Sequence, residues 1–134
     1  MKKTLQELIP TARKVIKDVE IANQGQVSTL FKGYISSFGA SIVQAGLLPT
    51  VIFFENDSKT ESEARKKVCQ AIYLMIEREK DSQRAVSNLD DYQFHNYLLG
   101  KENGQERFKN PQLLKKVTDY AIALKIALRT FKLV

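Results

Sequence analysis

The chain has 134 residues, of which 43% are apolar and 27% charged, with six glycines and three prolines; that profile excludes collagen-like, low-complexity and disordered classes and suits one globular domain over residues 1–134. A formal charge of +6 points toward an anionic partner without bearing on the fold. The one cysteine, Cys69, and the one histidine, His95, exclude an internal disulfide, a cysteine cluster and a multi-histidine metal site.

Leu5, Leu8, Ile9, Ala12, Val15, Ile16, Val19 and Ala22 recur at intervals of three and four, which predicts a helix from Thr4 to Ala22. Pro10 either kinks it or opens its main part. Asn23 to Gln26 read as a turn. Val27, Leu30, Phe31, Tyr34, Ile35 and Phe38 predict a second helix, with Gly39 as its break.

From Gly33 to Phe54 no residue is charged. Such a stretch is a membrane span, the middle of a core, or a contact face kept apolar for a partner. Ser36, Ser37, Ser41, Gln44, Pro49, Thr50 and three glycines dilute it too far for a span, and the core reading is preferred. It predicts a helix from Ala40 to about Glu55, apolar almost all round and buried on several sides. Val51 to Phe54 could form a strand, but no other segment offers it a partner.

Asn56 to Thr60 is polar turn material, and Thr60 with Glu63 has the spacing of a capping box. Ala64, Val68, Ala71, Ile72, Met75 and Ile76 then mark a helix ending near Lys80. A short helix is expected from Asp90 to Leu99, with Phe94, Tyr97 and Leu98 inward and Gly100 as its stop. Asn110 and Pro111 start a last helix, whose Leu113, Leu114, Val117, Ala121, Leu124, Leu128 and Phe131 hold one face to the C-terminus; helical throughout, it would be about 36 Å long. The fold class is all-α: a compact single-domain bundle of about six helices with a central apolar helix.

Little in the sequence suggests catalysis. There is no Gly-x-Ser-x-Gly elbow and no glycine-rich phosphate loop. His95 beside Tyr97 reads as a surface or capping histidine, and the adjacent Asp90 and Asp91, next to Ser87 and Asn88, as residues at a helix N-terminus. No catalytic residue, metal or cofactor is expected. The opening MKKTLQELIPTARK is interrupted by charges too soon for a signal peptide, so a reducing, cytoplasmic setting and no membrane association are expected.

The bases offer more. Arg13, Lys14 and Lys17 cluster in the first helix, Arg65, Lys66 and Lys67 are consecutive, and Lys115 with Lys116 opens the last helix. From Phe108 onward six bases face a single acid, Asp119. Such runs are usually solvated faces, but the imbalance along a whole helix can follow a phosphate backbone without reading its sequence. Lys14, Lys17, Lys66, Lys67, Lys125 and Arg129, all off the apolar stripes, are predicted to face such a backbone.

Two segments carry a resemblance. Ile42-Val43-Gln44-Ala45-Gly46-Leu47-Leu48-Pro49-Thr50-Val51-Ile52-Phe53-Phe54 resembles the I-x-x-N-G-L-x-Q-T-hydrophobic-A-F pattern in the small subunit of Cmr complexes, the type III-B CRISPR RNA-guided effectors. Thr118 to Leu124, continuing through Leu128-Arg129-Thr130-Phe131, is similar to that family's closing T-x-E-A-x-x-L helix and its W-hydrophobic-R-R-F end. The chain departs from the pattern at Ala45 for Asn, Pro49 for Gln, Gly39 for Pro, Ala127 for Trp and Thr130 for Arg. The resemblance implies a non-catalytic, helical subunit stacked in copies along the effector, with other Cmr subunits, further copies of itself, guide RNA and target RNA as partners. It also directs attention to Gly46, Leu47 and Leu48 as a subunit contact. Two other readings stay open: a helical protein–protein adaptor without an RNA role, and a small enzyme built around His95 with Asp90 or Asp91.

Overall fold

In the computed structural model, which describes residues 3–56, 62–81 and 93–134, the first helix is α1 (Leu5–Asp18). Thr4 and Glu7 cap it reciprocally, each side chain accepting from the other's backbone N–H at 3.3 Å, so two of the orphan amides of the first turn are satisfied. Leu8, Ala12, Val15 and Ile16 are its buried face. The helix ends at Asp18, four residues earlier than the apolar spacing predicts. Glu20 turns left-handed at φ 63, its N–H bonds the Lys17 carbonyl, and the Ile21 N–H bonds the Ile16 carbonyl. That is a Schellman closure. Val19, Ile21 and Ala22 stay in the core although none of them is helical, which is why periodicity alone overshoots.

The predicted turn is a tight hairpin. β1 (Ala22–Asn23) pairs antiparallel with β2 (Gln26–Val27) around Gln24 and Gly25, both at positive φ, as a two-residue turn matched to strand twist requires. β5 (Lys132–Leu133) lies parallel on β2, so the C-terminal strand closes against the first hairpin.

α2 (Thr29–Ala45) starts at Ser28, whose hydroxyl accepts from the Leu30 N–H, and passes Gly39 without a break. The break falls at Gly46, with φ 97 and ψ 167, a region open almost only to glycine. α3 (Leu47–Glu55) follows. Thr50, itself buried, ties the corner: its hydroxyl bonds the Gly46 carbonyl and the Ser41 hydroxyl, each at 2.8 Å. The charge-free stretch is therefore two helices, each burying one face. Phe31, Ile35, Phe38 and Ile42 face inward from α2, and Leu47, Thr50, Val51 and Phe54 from α3. The expected single helix buried on several sides is corrected: Val43, Ile52 and Phe53 are 84%, 48% and 58% exposed.

α4 (Ser62–Lys80) buries Val68, Cys69, Ala71, Ile72, Leu74, Met75 and Ile76. Thr60, the other half of the expected capping box, lies outside the described residues, as do Ser87, Asn88, Asp90 and Asp91. α5 (Phe94–Leu99) buries Phe94 and Leu98 and stops at Gly100 as predicted. A second hairpin, β3 (Lys101–Glu102) with β4 (Gln105–Glu106), turns on Asn103 and Gly104 at positive φ. A 3-10 turn (Arg107–Lys109) leads into α6.

α6 (Pro111–Leu128) is capped by Asn110, whose Oδ1 accepts from the Gln112 N–H at 2.9 Å. It packs on α1, α2 and α4. Ala123 and Ala127, fully buried, keep those neighbours close, so position 127 has no space for an aromatic ring. The helix does not run to the C-terminus. Thr130 bonds the Ala127 carbonyl through both its N–H and its hydroxyl, Phe131 turns into the core, and β5 follows. At 18 residues α6 is about 27 Å long.

The Tyr120 ring is buried on α6 and its hydroxyl has no hydrogen bond of acceptable geometry. Burial first, and the nearby Glu79 carboxylate second, hold the phenol protonated far above the usual tyrosine range. The folded chain thus keeps a proton that the unfolded chain loses near pH 10, so this contribution to stability is whole below about pH 10 and falls as pH rises. Burial shifts Tyr97 in the same direction. Tyr120→Phe should therefore flatten, without abolishing, the alkaline decline of stability in urea titrations; an unaltered decline would refute the assignment.

Candidate nucleic-acid interface

The predicted bases come from α1 (Lys14, Lys17), α4 (Lys66, Lys67), and α6 (Lys125) with its C-cap Arg129. Two side-chain contacts bring three of these elements to one end of the bundle. The Arg13 Nε donates to the Thr130 hydroxyl at 3.1 Å, and its guanidinium lies 5.1 Å from the Phe131 ring centre. The Lys67 Nζ donates to the Glu20 carbonyl at 3.1 Å. Lys17 follows Arg13 by one turn of α1, Lys125 precedes Arg129 by one turn of α6, and Lys132 sits on β5. Lys14, Lys17 and Arg129 are exposed, whereas Lys66, Lys67 and Lys125 are half-buried. Long lysine stems can lie along apolar surface while the charged head stays at the rim.

The end is not purely basic. Asp18 is drawn inward by Arg78, which lies 2.6 Å away and is 7% exposed, so its charge is answered inside the bundle. Glu20 remains exposed. Arg13 and Lys132 belong to this end and were not among the predicted RNA-facing residues. The i,i+4 spacing of Arg13 and Lys17 was the available signal for the first; the second depends on the strand pairing of β5, which no periodicity announces.

The predicted subunit-contact residues divide. Gly46 forms the corner between α2 and α3, Leu48 is half-buried, and Leu47 is a core residue at 4% exposure. Leu47 is accordingly corrected from surface to interior, because the first turn of α3 rotates it toward the bundle axis. The exposed face beside it consists of Gly33, Ser36, Ser37, Ala40, Val43 and Gln44 on α2, followed by Ile52 and Phe53 on α3. Lys32, one turn before Ser36, is the charge at its N-terminal edge. Arg65 borders the face, with its guanidinium 5.2 Å from the Phe53 ring centre.

His95 is a capping residue of a particular kind. Glu55, at the end of α3, accepts from the backbone N–H groups of Phe94 and His95, and its Oε1 lies 2.9 Å from the His95 Nδ1. The carboxylate is occupied as the N-terminal cap of α5. Cys69 is wholly buried and its thiol is pushed up, by burial first and by Glu55 second, which leaves no thiolate to react. Among the described residues no group of histidine, cysteine or acidic side chains could hold a metal, and no helix is long and apolar enough to cross a membrane. The aspartates required by the enzyme reading, Asp90 and Asp91, lie outside the described residues.

Comparison with known families finds one match over most of the chain: the model described as CRISPR-associated protein (Cas_Cmr5) matches residues 6–121. No curated protein and no solved structure matches.

Proposed function

We propose a role that proceeds from family membership: the chain belongs to the Cas_Cmr5 family of CRISPR-associated proteins, and is thus a small subunit of a Cmr, type III-B, assembly. In that setting the chain holds RNA rather than cutting it. The observation that carries this reading is the gathering of bases from α1, α4 and α6 around one end, where Arg13 reaches Thr130 and Lys67 reaches Glu20. Bases distributed over helix ends neutralise phosphates and release counterions irrespective of base sequence. Sequence choice is then left to guide–target pairing.

Contact with other subunits and with further copies falls to the uncharged face around Gly46, Leu48, Val43 and Phe53, supported from beneath by Leu47. Chains of charge +6 repel where like charges meet, and this face brings none together. Two different surfaces joined head to tail would continue as a stack.

The test is charge reversal in the assembled complex. Lys66→Glu and Lys67→Glu combined with Lys125→Glu and Arg129→Glu should weaken target-RNA binding about tenfold near physiological salt. The slope of log K against log salt should fall by roughly 0.7 for each phosphate that is no longer neutralised. Unchanged binding across salt rejects these residues. It would leave the adaptor reading, which the 84% exposure of Val43 favours, and for which substitutions on the uncharged face, not charge reversal, should abolish assembly.

A further inference from the structure

A groove of about 660 Å³ opens at the far end of α6 from Arg129. Its walls are the last turn of α4, Tyr97 of α5, the β3–β4 turn and the first turns of α6, over a floor of Ile76 and Leu113. That volume falls in the range of small-ligand sites, about 300–1,000 Å³. Gln112 stands roughly 25 Å along α6 from Arg129, at 1.5 Å per residue, so the groove is separate from the basic end.

Its charges sort into two groups. Glu79 is paired with Lys116 at 3.2 Å, and Glu102 lies 3.8 Å from Arg107, whose guanidinium stacks 4.4 Å from the Tyr97 ring centre. Both acids are thereby answered. Lys3 and Lys80 have no ion pair among the described residues, Lys80 lying 6.0 Å from the Tyr97 ring centre, so the charge left over among those residues is positive. Carboxamides line the same groove. Asn103 is held at the left-handed turn position, φ 54, and Asn110 spends only its oxygen on the Gln112 N–H. The side-chain amide of Gln112 completes the set and, like that of Asn103, can both donate and accept.

A ligand that fits must bring an anion to two lysines and a planar donor–acceptor edge to the carboxamides. We infer that this groove binds one nucleotide unit, its phosphate at Lys3 and Lys80 and its base edge at Asn103 and Gln112. Carboxamide side chains pair with base edges in this way, and single-stranded nucleotides leave those edges free. The inference goes beyond the proposed role, which needs no pocket and rests on the opposite end of the bundle.

The experiment titrates the isolated chain with uridine and adenosine 5′-monophosphates and with a short single-stranded RNA, following backbone amide shifts. Saturable shifts at Tyr97, Asn103 and Gln112 are expected. Lys80→Glu and Gln112→Ala should each weaken binding about tenfold, the size of one missing charge-assisted or buried hydrogen bond. Lys3→Glu, at an exposed position ahead of α1, repeats the charge test without touching the fold. The fourfold charge reversal at the other end should leave mononucleotide binding unchanged, which separates this site from the proposed role. Saturation by mononucleotides marks a free nucleotide as the source, and saturation only by the strand marks RNA; either upholds the site. No saturable shift with any probe at millimolar concentration overturns it. So does inorganic phosphate or polyglutamate binding as tightly as the nucleotides, which would leave an anion site only.

Discussion

Asp18→Ala should lower the free energy of unfolding by about 3 kcal/mol, at the low end of the 3–5 kcal/mol range for breaking a buried ion pair from one side. The cost comes less from the missing attraction than from what remains. Arg78 is 7% exposed and its Nη2 sits 2.6 Å from the Asp18 carboxylate; without the carboxylate a guanidinium that cannot lose its proton stays in the bundle with only its remaining contacts. The lower figure is chosen because the Asp18 side chain is 31% exposed, so solvent screens part of the interaction. Replacing both partners, with Asp18→Leu and Arg78→Met, should recover most of the loss, since apolar packing of similar volume substitutes well for a buried pair. Urea titrations of the single and double variants give the coupling energy directly. A single-variant loss under about 1 kcal/mol would contradict the burial argument.

The same pair shows what a sequence can and cannot disclose. Arg78 follows Leu74 by four and Met75 by three, so its place on the buried stripe of α4 was legible. Its partner was not, because Asp18 is 60 residues away and no helical period links the two. The helices themselves were well marked by spacing, caps and Pro111. Their ends were less so. Val19 and Ala22 carry the right apolarity to extend α1, yet backbone closure at Glu20 overrides them, and Phe131 is buried from a turn, not from a helix. In the uncharged stretch, glycine alone did not say where the chain bends. Gly39 has helical neighbours on both sides and costs only propensity there, whereas Gly46 adopts a backbone conformation that other residues avoid. The Gly46 and Thr50 positions that suggested the family are fold devices, one making the corner and the other fastening it. The basic residues were visible as clusters, but their assembly at one end needed the chain-end strand and the Arg13 and Lys67 side-chain bonds.

Glu55→Ala is expected to cost about 2–4 kcal/mol, the sum of a missing cap and of buried N–H groups left without acceptors. The carboxylate is 8% exposed and serves two backbone donors of α5 along with the His95 ring. At six residues, α5 is too short to hold itself and draws its stability from this cap and from packing. Phe94 and Tyr97 carry that packing, lying 5.6 and 5.1 Å from the Tyr73 ring centre. Loss of the cap should therefore loosen the aromatic cluster and, through Tyr97, the wall of the groove at the start of α6. Glu55→Gln keeps one acceptor oxygen and turns the other into a donor facing a donor, so it should fall between wild type and Glu55→Ala. His95→Ala leaves both backbone bonds in place and should cost least of the three. Amide exchange reads the difference at its origin: the Phe94 and His95 protons should lose protection in Glu55→Ala and keep it in His95→Ala. If instead the two variants lose equal protection, the ring contact and not the backbone cap is what anchors α5.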